Sequence, residues 1–470
     1  MFMKKGLFRI LSGAIALAMS AGLLAGCAEK ATDKNENGQT VISVGNWPDK
    51  EGPQKEALDA RKARFEEENK DVVIEPDLWK FDRRSFYAKA AGGQLPDVYL
   101  AGVTELPEII STEYSADLSD ALKKRGYDGM FNQSFRDIVG GDKILAYPVS
   151  TYIMGLAYNT ELFKQAGFMS EDGIPKQPQT WDELVEMAVV IKEKTGKAGL
   201  CLPTAGNNGG WIFTLIAWSF GVDFMEKGED GKWKATFNTP ECAEVLQWYK
   251  DLKWKYDVLP PMTIVDGKEW DTTMGVGNAA MSLGAGMNYS QRVIKYGMVP
   301  EHVGMMVIPK GPKRHVTMIG GDVRAVNPEA TEDQIDAAVR WLETENSFEL
   351  TEGYKKTVEE TVATQLESNQ HVGIRTYSAW SAEAPSLKWY NEYIAEKCNA
   401  NPNHVKLYND FVINPTCEIQ PEEPVSCQEL YKTLDSCIQE VLSNENADCV
   451  AVLEKANSDF QINYLDNLTY

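Results

Sequence analysis

From residue 41 onward, short apolar runs bounded by turn residues alternate with capped amphipathic helices, and this alternation constrains the fold more than any other feature. Val41-Ile-Ser-Val-Gly45, Asp71-Val-Val-Ile-Glu75 and Asp97-Val-Tyr-Leu-Ala101 read as strands. Between the first two, a charged helix is expected over Gln54–Asn69, with Leu58 and Phe65 turned inward. Strands separated by helices pair in parallel and are covered on their faces, so the chain is expected to be α/β. Helix starts carry side chains able to accept the free N–H groups of a first turn. Thr180-Trp-Asp-Glu183 and Thr331-Glu-Asp-Gln334 have capping-box spacing, and each leads into apolar residues three and four apart. Thr239-Pro240 sets a cap before a first-turn proline. Trp181, inside such a start, reads as structural. In what reads as the last helix, Cys427, Tyr431, Leu434, Ile438 and Leu442 share one face and are expected in the core.

The N-terminus is of a different kind. Lys4, Lys5 and Arg9 precede the apolar run Ile10–Ala25, which is shorter than the ~20 residues a membrane-spanning helix needs. It ends in Leu24-Ala25-Gly26-Cys27, which resembles a bacterial lipobox. On that resemblance residues 1–26 are a signal peptide and Cys27 is the mature N-terminus, thioether-linked to diacylglycerol. Two or more acyl chains hold a protein firmly at a membrane. The expected location is therefore the extracytoplasmic face of the cell membrane, on a lipid anchor. An uncleaved signal anchor and a soluble secreted protein are the alternatives. Ala28–Gln39 lacks apolar periodicity and reads, within residues 27–40, as a solvated linker.

The balance of charge narrows the partners. With 47 basic and 69 acidic residues the formal charge is −22, and losing residues 1–26 removes three bases and no acid. Such a surface repels phosphate backbones, so no nucleic-acid partner is expected. The 470 residues, with 12 Trp, 19 Tyr and 16 Phe, suffice for two domains with full cores. Seven cysteines follow Cys27, an odd number with no C-x-x-C pair. Since the chain has only four histidines, no metal site and no cofactor are expected.

Asp142–Gly167 (DKILAYPVSTYIMGLAYNTELFKQAG), followed by Pro178-Gln-Thr-Trp-Asp-Glu183, resembles the signature region of family 1 extracellular solute-binding proteins. These are the sugar-binding lipoproteins of ATP-driven (ABC) importers, and maltodextrin-binding proteins belong among them. Gly93-Gln-Leu-Pro-Asp97, Gly277–Gly284, Val303–Asn327 and the terminal NADCVAVLEKANSDFQINYLD agree in order. The resemblance implies a two-lobed periplasmic-binding-protein-like fold with a hinge and an interlobe cleft. Residues 41–147 and 305–380 are assigned to lobe 1, and 148–304 and 381–470 to lobe 2. It also implies an oligosaccharide ligand, permease subunits of an ABC importer as partners, and a monomer.

Sugars present flat C–H faces and a rim of hydroxyls, which aromatic rings and planar polar groups match. Asn46-Trp47-Pro48-Asp49-Lys50 follows the first strand at a carboxyl end, where α/β sheets place ligands. Asp49-Lys50 matches a sugar-contacting pair of a maltodextrin-binding relative. Asn207-Asn208-Gly-Gly-Trp211 puts two amides and an indole in a Gly-rich loop, and Trp211 aligns with a stacking aromatic of that relative. Trp218, seven residues on, fits the same helical face or the core. Where the family often has a stacking Trp this chain has Met287, for which Tyr289 or Trp270 can compensate. Tyr152 stands in place of a carboxylate and Ala101 in place of a Trp. These changes imply that the fold carries over and the particular ligand does not. Asp322, in Gly320-Gly-Asp322-Val-Arg324, is an expected hydroxyl acceptor, with an interlobe ion pair as the alternative.

The same fold could instead hold a polyol, peptide, polyamine or anion. A surface-anchored carbohydrate hydrolase would need two carboxylates ~5–10 Å apart across a cleft. No nucleophile-elbow, HExxH or P-loop signature appears, so no catalytic residue is assigned.

Overall fold

The computed structural model describes residues 33–127 and 129–468, the side chains of Pro53, Arg83, Arg84, Met287 and Asn288 excepted. The chain runs through β1 (Thr40–Val44), β2 (Val72–Pro76), β3 (Val98–Gly102) and β4 (Tyr147–Ile153). It continues through β5 (Gly155–Asn159), β6 (Ala198–Leu200), a hairpin of β7 (Met225–Lys227) and β8 (Trp233–Ala235), and β9 (Ala279–Gly284). Last come β10 (Val303–Met306), β11 (Val316–Val326) and β12 (Glu418–Gln420). One sheet has the order β12-β11-β3-β1-β2, with β4 also on β11, and a second has β10-β5-β9-β6. Each sheet sits in its own apolar core: Ile42, Val98 and Trp341 in the first, Leu156, Met281 and Met305 in the second. The architecture is α/β and two-lobed.

In the first lobe β1 runs parallel to β2 and β3, with Thr40 opposite Val72 and Val44 opposite Val98. The connecting helix spans Pro53–Glu68 and buries Phe65 against Trp341, edge to face at 5.4 Å. β11 is the long strand. Asp322–Val326 pair antiparallel with β3, while Ile319–Arg324 pair with β4, with a register shift between Asp322 and Val323. Its Val316, Met318 and Ile319 lie in the second core and its Val323, Ala325 and Val326 in the first. β4 does the same, with Tyr147 in the first core and Ile153 in the second. Two paired strands thus thread both lobes. Their close approach needs glycine: a Cβ on Gly321, at φ +139°, would stand 2.0 Å from the Ser150 carbonyl oxygen. A further passage falls near Ser378, between Tyr377 in the second core and Ala379 in the first.

The caps follow local chemistry. Thr331 forms a full capping box with Gln334. Thr180 accepts from the Glu183 N–H, but the Glu183 carboxylate accepts from the Gln179 N–H at 2.8 Å instead of closing the box. Thr239 accepts from the Cys242 N–H. Trp181 is buried and donates to Ser219 Oγ at 2.8 Å. The helix Cys427–Ser443 buries the expected face, but it is not the last, since Cys449–Asn463 follows it. The stretch read as solvated linker is partly structured: over Asp33–Gln39, Asn35 Nδ2 donates to Gln39 Oε1, and Lys34 pairs with Asp333 at 2.8 Å.

Candidate functional site

The strand alternation of β4 separates two faces of the crossing. Thr151 points to one side, where its hydroxyl donates to the Tyr377 carbonyl at 2.8 Å. Ser150 and Tyr152 point to the other, since successive strand residues face opposite ways. There Ser150 Oγ lies 3.4 Å from Asp322 Oδ2. Below Asp322, the buried Arg324 grips Glu345 through Nε and Nη2 at 3.0 and 3.1 Å and donates from Nη1 to the Gly45 carbonyl at 3.3 Å. This ion pair fixes the carboxyl end of β1 to the floor of the site.

The second lobe brings a helix end to the same place. Helix Asn208–Ser219 starts after Asn207 in the left-handed region (φ 66°), and its open N–H groups need acceptors. The buried Asp435 supplies them, accepting from Asn207 N and Gly210 N at 2.7 Å each. Gly210 allows this seat, because a Cβ there would stand 2.2 Å from the Tyr431 carbonyl oxygen. The contact sets Trp211 and Tyr431 beside the loop that carries Glu422.

Glu422 is the centre of the constellation. It is 8% exposed and lies beside Tyr431 and Trp211, whose polar hydrogens favour its charged form. Burial pushes its carboxyl up to about 7, and the Glu105 carboxylate of the first lobe adds to the rise. Burial, then Glu422 and Asp322, raise the hydroxyl pKa of Tyr152, while Arg292 acts the other way. Burial also raises Asp322, opposed by Ser150 and Arg324. Tyr431 is buried, and its hydroxyl lacks an aligned hydrogen-bond partner. An indole, two phenols and the carboxyl groups of Glu422, Asp322 and Glu105 therefore converge here. Such groups can stack on a ring and both donate to and accept from its substituents.

Tyr152, Trp211 and Asp322 of the expected residues come together here. Others lie elsewhere. Trp47 is a correction: expected to stack on ligand, it is 1% exposed in the first core, on Trp341. Its loop folds inward because the Asn46 N–H donates to the Trp79 carbonyl at 2.6 Å and the Trp47 N–H to the Asp77 carbonyl at 3.0 Å. Trp270 and Tyr289 are corrected likewise. Each is 1% exposed in the second core, where the Trp270 indole donates to Ser282 Oγ. Trp218 is also core, and its indole donates to Glu423 at 2.9 Å. Asn46 is half-buried with φ 64°, and Asp49 and Lys50 are exposed in the turn beyond it. Asn208 is half-buried and donates to the Gly206 carbonyl at 3.0 Å. The Met287 side chain and Cys27 lie outside the described residues. Glu105, Ser150, Glu422 and Tyr431 were not anticipated. The proline-bracketed run Pro421-Glu422-Glu423-Pro424 is the signal that could have pointed to Glu422.

A fold of two α/β lobes threaded by paired strands, with polar and aromatic groups facing each other between them, defines a ligand-clasping receptor. The family profile described as bacterial extracellular solute-binding protein matches residues 48–345, and the chain belongs to that family. It is similar to the periplasmic-binding protein YcjN, assigned to an ABC transporter, of Escherichia coli strain K12, at 25% identity over 248 residues. That alignment covers 50% of this chain, which thus spans about half the length of the relative (52%). The arabinooligosaccharide-binding protein of Halalkalibacterium halodurans is 29% identical over 35% of each chain. In fold the chain is similar to the cyclic alpha-maltosyl-1,6-maltose binding protein from Arthrobacter globiformis. There the TM-score is 0.60 at 21% identity, covering 90% of this chain and 98% of that one.

Proposed function

We propose that this protein is a lipid-anchored receptor that captures an oligosaccharide between its lobes and delivers it to the permease of an ATP-driven importer. The observation that carries the reading is the meeting of Trp211 and Glu422 of the second lobe with Tyr152 and Asp322 on the two crossing strands β4 and β11. A ring platform beside carboxyl groups suits the flat face and hydroxyl rim of a sugar. The relatives named for arabinooligosaccharide and for cyclic maltosyl-maltose support a saccharide over a peptide or anion. Clasping, not catalysis, is the assigned role, with Cys27 as the anchor and a monomer as the working unit.

A thermal-shift screen against a broad glycan panel tests the reading, because ligand at 100 times its Kd adds ~2.7 kcal/mol of stability. A shift with one class of oligosaccharide, whose chromatographic profile stays unchanged after incubation, supports capture without turnover. Cleavage products, or shifts only with non-sugar solutes, would overturn it.

A further inference from the structure

We propose, on the reading of the cleft as a saccharide site, that its ligand carries a protonated amine and that the receptor selects an amino sugar over its neutral counterpart. Three carboxyl groups approach the same space. β3 pairs antiparallel with β11 so that Gly102 stands opposite Asp322. A Cβ at Gly102 would lie 2.5 Å from Glu105 Oε2, so the Glu105 carboxyl lies over that pair of strands. Glu422 enters from the second lobe, feels the Glu105 carboxylate and acts in turn on Tyr152. The Tyr152 hydroxyl lies over Gly320 of the same crossing, where a Cβ would collide with it.

The cations near these carboxyls are already committed. Arg324, which acts on Asp322, is held by Glu345 at 3.0 Å. Arg292, which acts on Tyr152, is held by Asp271 at 3.4 Å. Glu422 is more than nine-tenths buried, and no cation is among the groups that act on it. A buried carboxyl without a counter-ion is stabilised by a proton or by a cation, and a ligand that brings a cation replaces the proton. The cation is organic, because no three carboxylate, imidazole or thiol groups among the described residues are placed to hold a metal ion. An ammonium on a sugar ring suits the wider spacing, since the ring hydroxyls donate to the carboxyls that the ammonium does not reach. The rings of Trp211, Tyr152 and Tyr431 stand beside these carboxyls, and aromatic rings attract ammonium groups.

Calorimetric titration at about pH 6.5, where sugar amines are protonated, compares sugars that differ only in an amine replacing a hydroxyl. The pairs are glucosamine with glucose, galactosamine with galactose, and the β-1,4-linked glucosamine dimer with cellobiose. At least one amine should bind about tenfold or more tightly than its hydroxyl counterpart, because charge-assisted hydrogen bonds are roughly twice as strong as neutral ones. Glu422→Gln and Asp322→Asn keep the shape of each side chain and remove its charge, and each should shrink that preference to about threefold or less. The wild-type comparison needs no variant to fold. Hydroxyl sugars bound as tightly as the amines would overturn the proposal and leave capture of neutral sugars standing. So would amines that fail while a neutral glycan of the wider panel binds, or a preference that survives both variants. If no sugar binds, charged or neutral, the oligosaccharide reading falls and takes the amine with it.

Discussion

Trp47 stacks on Trp341 with ring centroids 6.1 Å apart and planes 21° from parallel, and its indole donates to Asp59 at 3.0 Å. Arg61 sits over the other partner, 4.2 Å from the Trp341 ring centre. The stack ties the loop after β1 to the helix that carries Trp341, so its area serves the first core. Trp47→Ala should cost about 3–5 kcal/mol of stability, the usual loss for a buried aromatic. Trp47→Phe should fold and bind ligand normally. Urea unfolding of both variants checks this, and an unchanged midpoint for the alanine variant would contradict it.

Buried ionisable groups give stability opposing pH slopes. Burial pushes Glu422 and Glu423 up to about 7, so the folded state holds their protons more tightly than the unfolded chain does. Their stabilising effect is full below the ordinary carboxyl value of 4.5 and is lost as pH rises through 7. His371, 1% exposed and without a hydrogen-bond partner on either ring nitrogen, is pushed down to about 4 by burial and by nearby His404. It acts oppositely, costing stability as pH falls from 6.5 towards 4. Relative to wild type, Glu423→Gln should therefore gain stability between pH 4.5 and 7, by up to about 3 kcal/mol. His371→Asn should gain as pH falls. Denaturant midpoints across this range decide, and parallel curves would refute the assignment.

The seven cysteines of the described residues are all free, and five of them are buried. Cys201 is enclosed in the second core, where burial pushes its thiol up to about 12. Reductant should leave the melting temperature unchanged. Alkylation in denaturant should find a free thiol at every position from Cys201 to Cys449.

At the N-terminus, Cys27→Ser should leave an uncleaved, unlipidated precursor, since acylation of the thiol precedes cleavage. Palmitate labelling separates the cases, and label persisting on the variant would disprove the anchor.

What the sequence made legible was governed by local rules. Thr331 with Gln334, Thr239 with Pro240, and the alternation of Val41, Ile42 and Val44 act within a few residues, and the structure keeps them. The resemblance extended this to the two-lobed architecture. The site was less legible because side-chain direction at a loop depends on distant partners. Trp47 turns inward only because Trp341, almost three hundred residues on, provides a face to stack on. Trp211 comes beside Glu422 because Asp435 and the Gly210 contact seat its helix. Glu422 was invisible for the same reason: it enters from a loop whose place is set by a helix packing on another.

Under the proposed function, ligand is held where Trp211 and Glu422 meet Tyr152 and Asp322 of the crossing strands. Titration calorimetry of wild type, Trp211→Ala and Trp47→Phe, with the saccharide giving the largest thermal shift, tests it most directly. Loss of the Trp211 ring should weaken binding by about 1–3 kcal/mol, the range for ring stacking on an aromatic side chain, while Trp47→Phe binds as wild type. Wild-type affinity in a folded Trp211→Ala protein would contradict the account.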